Sequence, residues 1–420
     1  MRTSEALILH KGHNGHKGVI FGGQFPTFRN ASFRVHKRAL RVLCELCVFI
    51  LIACVSSSCN DIERPPLLPY LVSVAGSAGI GIVTSDLSGA GNFVTMSLEG
   101  VPRIGQRSIH SDAVVHYEDG RVYIVNRLGR DNIQILNPDA FFATEREFSV
   151  GSGANPHGFE KINDGKAFVT LYEQSDLLIV NPATGAETGR VSLAAYADAD
   201  GIPEMSGMVQ YGDSLYVAIQ RLDRNDTTRI FPPTAYSSLI QIDVNNEGVI
   251  AEHVLPSTNP FSDLEVITLF GQAHILVAAP AGIGSNSDSN GGVVAFNLET
   301  GTFRGGFVYS ESAAGGDILD VVIKNDSTGY ASILYPDNSG EIQRFDPSTG
   351  RKVSSLGFLP ASGGFVAGIL LAPNGKLYVA DSSFDRPGIT IYNTDQGDFK
   401  ENGTPIDVGL RPTDLVFLPL

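Results

Sequence analysis

Counting back from each Gly/Asn/Asp turn to the start of the strand before it picks out one equivalent position seven times along the chain: Ala113, Gly158, Gly207, Glu265, Asp320, Gly368 and Asp414. Four are small and three are acidic. Asp112, His157, Asp263 and Asp317 stand within a few residues of this set. Two carboxylates about 6 Å apart, at an effective dielectric of about 20, repel by roughly 3 kcal/mol, or about two pK units. Such a group shares a proton, captures a cation or accepts hydrogen bonds from backbone donors. The cation reading makes Glu265, Asp320 and Asp414 ligands of calcium, a hard ion suited to carboxylates and carbonyls. The alternative reading has the same acids capping the amides of the strands they begin.

The remaining chemistry-bearing residues are less patterned. The segment 286–291 (NSDSNG) has the spacing of a calcium loop at Asn286, Asp288 and Asn290, but Asn297 stands where a bidentate glutamate is needed. Five histidines follow residue 54, and none falls in an H-E-x-x-H or C-x-x-C arrangement. His157 has the best position for function; a hydrogen-bonded structural role is the competing reading. Aromatic residues Tyr196, Phe231, Tyr236, Phe261, Tyr335 and Phe384 are scattered through polar loops, where exposed rings suit sugars, flat cofactors or protein partners. With Asp112 and His157 they form the expected ligand-binding set. There is no G-x-S-x-G elbow and no phosphate loop, and 76–81 (GSAGIG) is only a glycine-rich turn.

These residues are positioned by a repeat. Hairpins recur as DGRVYIVN from 119, DGKAFVTL from 164, DSLYVAIQ from 213 and NGKLYVAD from 374; the Asp-Gly and Asn-Gly pairs supply the positive φ that a tight turn needs. Third strands follow, such as NIQILNPD from 132, EIQRFDPSTG from 341 and GITIYNTDQG from 388. Inner strands beginning near Asp112, His157, Ser206, Leu264, Leu319, Ala367 and Thr413 are spaced 45, 49, 58, 55, 48 and 46 residues apart. Seven starts predict an all-β, seven-bladed propeller over 70–420. The last start carries a single strand, 411–420, so the segments 70–75, 79–85 and 92–98 are expected to pair with it and close the ring. In this architecture the loops between second and third strands share a face with the connections into the inner strands. That face gathers the irregular segments 194–206, 221–237, 256–263, 280–291, 335–340 and 381–387. Long loops on a rigid scaffold are where binding usually resides.

The D-G-x-x-Y-V and N/D-P-x-T-G elements resemble the YVTN-type propeller repeats of bacterial extracytoplasmic proteins, a likeness covering 70–420 and weakest in the blades at 206–255 and 264–310. It implies the fold and says little of function, since one ring serves binders and enzymes alike. The acidic ring is similar to that of calcium-dependent propeller lactonases, which would make Glu265, Asp320 and Asp414 metal ligands, although the surrounding sequence does not match that family.

The front of the chain reads as an export signal. A basic patch at 34–41, an apolar run at 42–53 too short to span a bilayer, and Leu51-Ile52-Ala53-Cys54, which resembles the bacterial lipobox, predict a signal region over 1–53 and lipidation of Cys54. The sequence before 35 is unusual in such a signal, so translation is expected to start nearer 35. A polar tether follows over 54–69. The whole chain carries a net −15, and the part before Cys54 holds 8 of 30 Lys+Arg and 2 of 45 Asp+Glu, leaving −21. That charge disfavours nucleic acid and anionic membranes.

The sequence therefore predicts a monomeric, lipid-anchored propeller of the cell envelope, at the outer membrane because Val55 rather than Asp follows Cys54. It would bind a small ligand or protein partner on its loop-rich acidic face without changing it. Similar surface lipoproteins include some that capture cofactors such as cobalamins for a transporter, and only that class of role carries over. A calcium-dependent, lactonase-like hydrolase and a structural module of an envelope complex are the alternatives.

Overall fold

The computed structural model describes residues 78–226, 232–284, 289–359 and 365–420, together with His10–Lys11 and Lys17–Gly18, which pair antiparallel. The chain divides into two units, Met1–Val74 and Ala75–Leu420. The expected signal, Cys54, the tether and the boundary at 70 all lie outside the described residues.

Seven antiparallel sheets of at least four strands form the second unit, and each inner strand falls where the repeat placed it. Blade 1 is built from Ala113–Glu118, Arg121–Asn126, Asn132–Asn137 and Ala143–Ser149. Blade 2 runs from Pro156–Asn163 to Ala186–Ser192, and blade 3 from Met205–Tyr211 to Val249–Val254. The inner strands of blades 4 to 6 are Glu265–Leu269, Asp317–Asn325 and Val366–Leu371. In blade 4 the third strand, Gly292–Asn297, pairs with two short outer strands, Thr302–Phe303 and Tyr309–Ser310.

Blade 7 closes the ring with strands from both ends. Arg411–Leu418 pairs antiparallel with Gly79–Ser85, with Leu418 opposite Gly79 and Leu415 opposite Ile82. Ala90–Ser97 and Pro102–His110 complete the sheet. The outermost strand is thus Pro102–His110, one strand later than the sequence suggested, and the segment 70–75 lies outside the described residues. Burial at the closure is also distributed differently from expectation. Leu418 is buried while Leu415, Val416 and Phe417 are half-buried, because an inner strand faces the channel. The full burial is on their partners Ile80, Ile82 and Val83.

The second strands are apolar on both sides because each is covered by the blades before and after it. Tyr123 of blade 1 stacks on Phe159 of blade 2 at 4.4 Å, and Tyr309 of blade 4 on Phe345 of blade 5 at 4.4 Å. Blade 1 turns through Asp119 (φ 46°) and Gly120 (φ 75°), as Asp-Gly predicts. Blade 4 achieves the same with Phe270 (φ 52°) and Gly271 (φ 77°), whereas Asp164 and Gly165 keep negative φ. The shared signal is therefore the length of the turn more than its residue pair.

Candidate binding site at the channel mouth

Every inner strand has one edge paired within its blade and the other facing the channel. Unpaired amides on that second edge need acceptors. Four carboxylates supply them across blade junctions. Asp414 Oδ2 accepts from Val115 N at 2.8 Å while its Oδ1 accepts from Leu415 N. Asp320 repeats the arrangement with Ile369 N and Val321 N. Glu118 Oε2 accepts from Lys161 N and Glu160 Oε1 from Gln210 N. Of the ring's glycines, Gly158 is closely approached, since a Cβ there would stand 3.2 Å from Thr170 Oγ1, whereas at Gly368 it would meet Asp320 Oδ2 at 3.7 Å, an ordinary contact.

The acids whose charges act on one another form two groups, Asp320 and Asp414 with Glu265 and Asp263, and Glu160 with Glu118. Burial, offset by the two amides and reinforced by the charges of Glu265 and Asp263, pushes Asp320 up to about 7. Burial with Asp263 pushes Asp414 up to about 8. Glu265, open to the channel, is pushed up to about 7 by the protein surrounding it and the charge of Asp263, and Glu160 to about 7 by burial and Glu118. Among the described residues no group of three or more His, Cys, Asp or Glu is arranged to hold a metal ion. The expected calcium set Glu265, Asp320 and Asp414 is therefore not among such groups; Asp320 and Asp414 have both oxygens engaged by backbone amides, which is the capping arrangement, while Glu265 accepts from no backbone amide among the described residues. Asn286 and Asp288 lie outside the described residues. Asn297 is committed to its turn, accepting from Glu299 N and Thr300 N at 2.9 Å.

A second group of charges meets side chain to side chain, on the loop-rich face over blades 1 to 3. Arg127, the first residue after the second strand of blade 1, donates Nε to Asp112 Oδ1 at 3.1 Å and adds Nη2 to the same oxygen. Its Nη1 lies 3.1 Å from His157 Nε2. Arginine is always a donor, so His157 Nε2 accepts and the ring hydrogen is on Nδ1. Burial and the adjacent Arg127 hold His157 well below its ordinary value, so the ring is neutral. His157 stacks on Tyr172 at 4.5 Å, and Arg224 lies 5.9 Å from the Tyr172 ring while pairing with Glu173. The result is a ladder, Asp112–Arg127–His157–Tyr172–Arg224–Glu173, whose two ion pairs are partly exposed at 22% and 27% for the first and 17% and 17% for the second.

The expected ligand-binding residues separate in space. Asp112 and His157 are joined through Arg127. Tyr196 and Tyr236 are both held by Arg221, which donates to the Tyr196 carbonyl at 2.6 Å and the Tyr236 carbonyl at 2.7 Å and covers the Tyr236 ring at 4.5 Å. Phe261 is exposed, and Phe384 is exposed with Arg411 stacked over it at 3.4 Å. Tyr335 packs against the core of blades 4 and 5 and donates to Glu341, so it is structural. Phe231 lies outside the described residues.

Sequence reasoning missed Arg127, Tyr172, Arg224 and Glu204. A signal existed for the first two. Backbone bonds Arg127 N to Asp112 O, Tyr172 N to Asn155 O and Gln220 N to Glu204 O extend each hairpin past its second strand. Arg127 and Tyr172 are therefore equivalent positions, polar or aromatic directly after an apolar strand. Glu204 is buried with φ 47°, its Oε2 accepts from Leu222 N at 3.1 Å, and its Oε1 has no partner.

Fold and geometry together define a seven-bladed propeller with a polar and aromatic cluster at one mouth of its channel. No family model matches the sequence, and no curated protein matches it either. Solved structures do match. A candidate 6-phosphogluconolactonase from Bacteroides uniformis aligns over 82% of this chain and 100% of its own at 14% identity, with a TM-score of 0.57. Its counterpart from Bacteroides fragilis aligns over 82% and 99% at 15% identity and TM-score 0.54. The dihydro-heme d1 dehydrogenase NirN, solved with DHE, aligns over 86% and 77% at 12% identity and TM-score 0.53. At these identities the likeness is one of fold.

Proposed function

We propose that this propeller is an extracytoplasmic binding protein that takes a small organic ligand at the channel mouth over blades 1 to 3 and releases it unchanged. The observation that carries the reading is the Arg127–His157–Tyr172–Arg224 ladder: alternating guanidinium and ring faces, partly open to solvent, on a rigid scaffold. Guanidinium groups and aromatic faces recognise planar, acceptor-bearing molecules. The His157 nitrogen nearest the ladder accepts a bond from a permanent cation, so it is not free to take a proton from a substrate. This supports binding over general-base chemistry.

Two finer features belong to the same proposal. The lipobox-like run ending at Cys54 would anchor the domain in the envelope, at the outer membrane, in keeping with the YVTN-type character of the repeats. Phe261 and Phe384, exposed on the loop-rich face, would meet a protein partner such as a transporter. A thermal-shift panel of sugars, carboxylates and cofactors tests the ligand reading. A ligand present at a hundred times its dissociation constant adds about 2.7 kcal/mol if it binds only the folded form. The shift should vanish in Arg127→Ala; a shift that survives that substitution puts the site elsewhere.

A further inference from the structure

Glu204 is the residue of this face that the ladder does not explain. It is fully buried, it holds a left-handed backbone conformation that a glutamate seldom adopts, and one of its oxygens has no hydrogen-bond partner. Asn155, at the equivalent position of blade 2, shares the left-handed conformation, so what sets Glu204 apart is its unsatisfied buried oxygen, which calls for an explanation. Its surroundings are those of the ladder. Tyr172 and Glu173 approach from blade 2. Arg221, the Leu222 amide and Arg224 come from the loop of blade 3, and Asp198 and Asp200 from the connection into that blade. Burial, with the charges of Asp200 and Asp198 outweighing the Leu222 amide and Arg224, pushes Glu204 up to about 8.

The bonding pattern fixes where the proton of the neutral acid sits. Oε2 accepts from the Leu222 amide, so it acts as the carbonyl oxygen, and the hydrogen is on Oε1. That hydrogen has no acceptor in the protein. Beside it lies the guanidinium of Arg224, and Tyr172, which neighbours both, stacks on His157 of the ladder. An acid hydrogen without an acceptor, beside a guanidinium, is complementary to an acceptor.

We propose that Glu204 is a specificity element of the mouth site, a neutral acid whose Oε1 hydrogen is offered to a carboxylate oxygen of the ligand, so that the site takes small carboxylates. The inference rests on the reading of the mouth as a ligand site. Because Glu204 is covered by the loop that carries Leu222 and Arg224, the group that meets it is small, a carboxylate and not a ring. An acid donating to a carboxylate forms a short charge-assisted bond that exists only while the proton is present. Ionisation of Glu204 would place two like charges together and expel the ligand.

The test uses trifluoroacetate as the probe, followed by fluorine NMR on the full-length protein. Binding is expected at pH 6.5, with affinity falling about tenfold per pH unit above pH 8. Glu204→Gln keeps an acceptor for Leu222 and a donor toward the probe, so binding should persist with that pH dependence removed. Arg127→Ala should abolish binding at every pH. An unchanged pH dependence in Glu204→Gln overturns the role of Glu204 and leaves the site reading intact. Absence of trifluoroacetate binding at any pH, or binding indifferent to Arg127→Ala, overturns both. Should Glu204→Gln fail to fold, the carboxyl carbon of Glu204 in the wild type decides: its titration should move upward when trifluoroacetate is added, and an unmoved titration rejects the proposal.

Discussion

Two arcs of the same channel carry charged residues at or near the starts of inner strands and in the loops beside them, and they use them in opposite ways. On the side of blades 5 and 7, Asp320 and Asp414 have both oxygens on backbone amides, one from the next residue and one from the neighbouring blade. On the side of blades 1 to 3, Asp112, Arg127, His157 and Arg224 meet other side chains. The first arc is mortar between blades. The second is a surface with donors and ring faces left over. A charged residue on a repeated scaffold is thus defined by what the nearest backbone edge requires of it.

The largest effect that separates the arcs should come from removing the strand that carries Asp414. Deleting 411–420 takes away the partner of Gly79–Ser85, strips cover from Ile80, Ile82 and Val83, and removes the bond to Val115. Loss of several buried apolar side chains' worth of cover, at about 1.5–3 kcal/mol each, approaches the whole stability of an ordinary domain. The truncated protein should show no cooperative melt. A truncation that melts as the wild type does would remove the closure and the mortar role together.

Next in size are the point substitutions. Asp414→Ala and Asp320→Ala each leave a buried inter-blade amide unpaired, at about 1–3 kcal/mol apiece. Glu265→Gln, at a carboxylate that no backbone amide is seen to hold, should cost under about 1 kcal/mol. Chemical denaturation of the three variants compares them directly, and equal losses in all three would erase the distinction between capping and non-capping acids.

The raised carboxylates of the channel also predict a pH dependence. Asp320, Glu265 and Glu160 are pushed up to about 7 and Asp414 to about 8. Between the ordinary carboxylate range and these values the folded protein holds protons that the unfolded chain has lost. Stability therefore falls as pH rises through the window. From pH 6.5 to 8.5 His116 and His157, both held below 6.5 in the folded protein, oppose this only near the lower limit, where an unfolded imidazole is still half protonated, and carboxylates held low, such as Glu341 at about 2, are ionised in both states. The melting temperature should decline over that interval, and less steeply in Asp414→Asn. A rise instead would mean that the arc is held charged, as a bound cation would hold it.

Much of this was legible in the sequence and part was not, for a physical reason. Seven repeats, the inner-strand starts and closure by 411–420 follow from turn residues and apolar runs that repeat along the chain. The acids at 265, 320 and 414 were found by the same counting, but the choice between metal and amide depended on whether a neighbouring blade's N–H lay within 3 Å, which no local pattern encodes. Arg127, Tyr172 and Glu204 come together from three blades, through loops whose lengths differ. His157 and Asp112 were visible singly; the arginine that joins them was not, because a lone arginine after a strand looks like any solvated charge.

The smallest stability effect, and the sharpest contrast, is expected for Arg127→Ala. Its ion pair with Asp112 is partly exposed on both sides, and pairs of that kind contribute about 0–1 kcal/mol. Its electrostatic effect should be plainer. Two causes hold His157 low, burial first and the Arg127 charge second. Removing the second leaves the first, so the imidazole should titrate higher than in the wild type yet still below 6.5. Heteronuclear NMR of the ring carbons reads this directly. The same variant should lose ligand binding while melting close to the wild type, the converse of Asp414→Ala, which should melt early and still bind. If both substitutions lower stability and binding in step, the two arcs are one structural ring and the mouth is not a separate site.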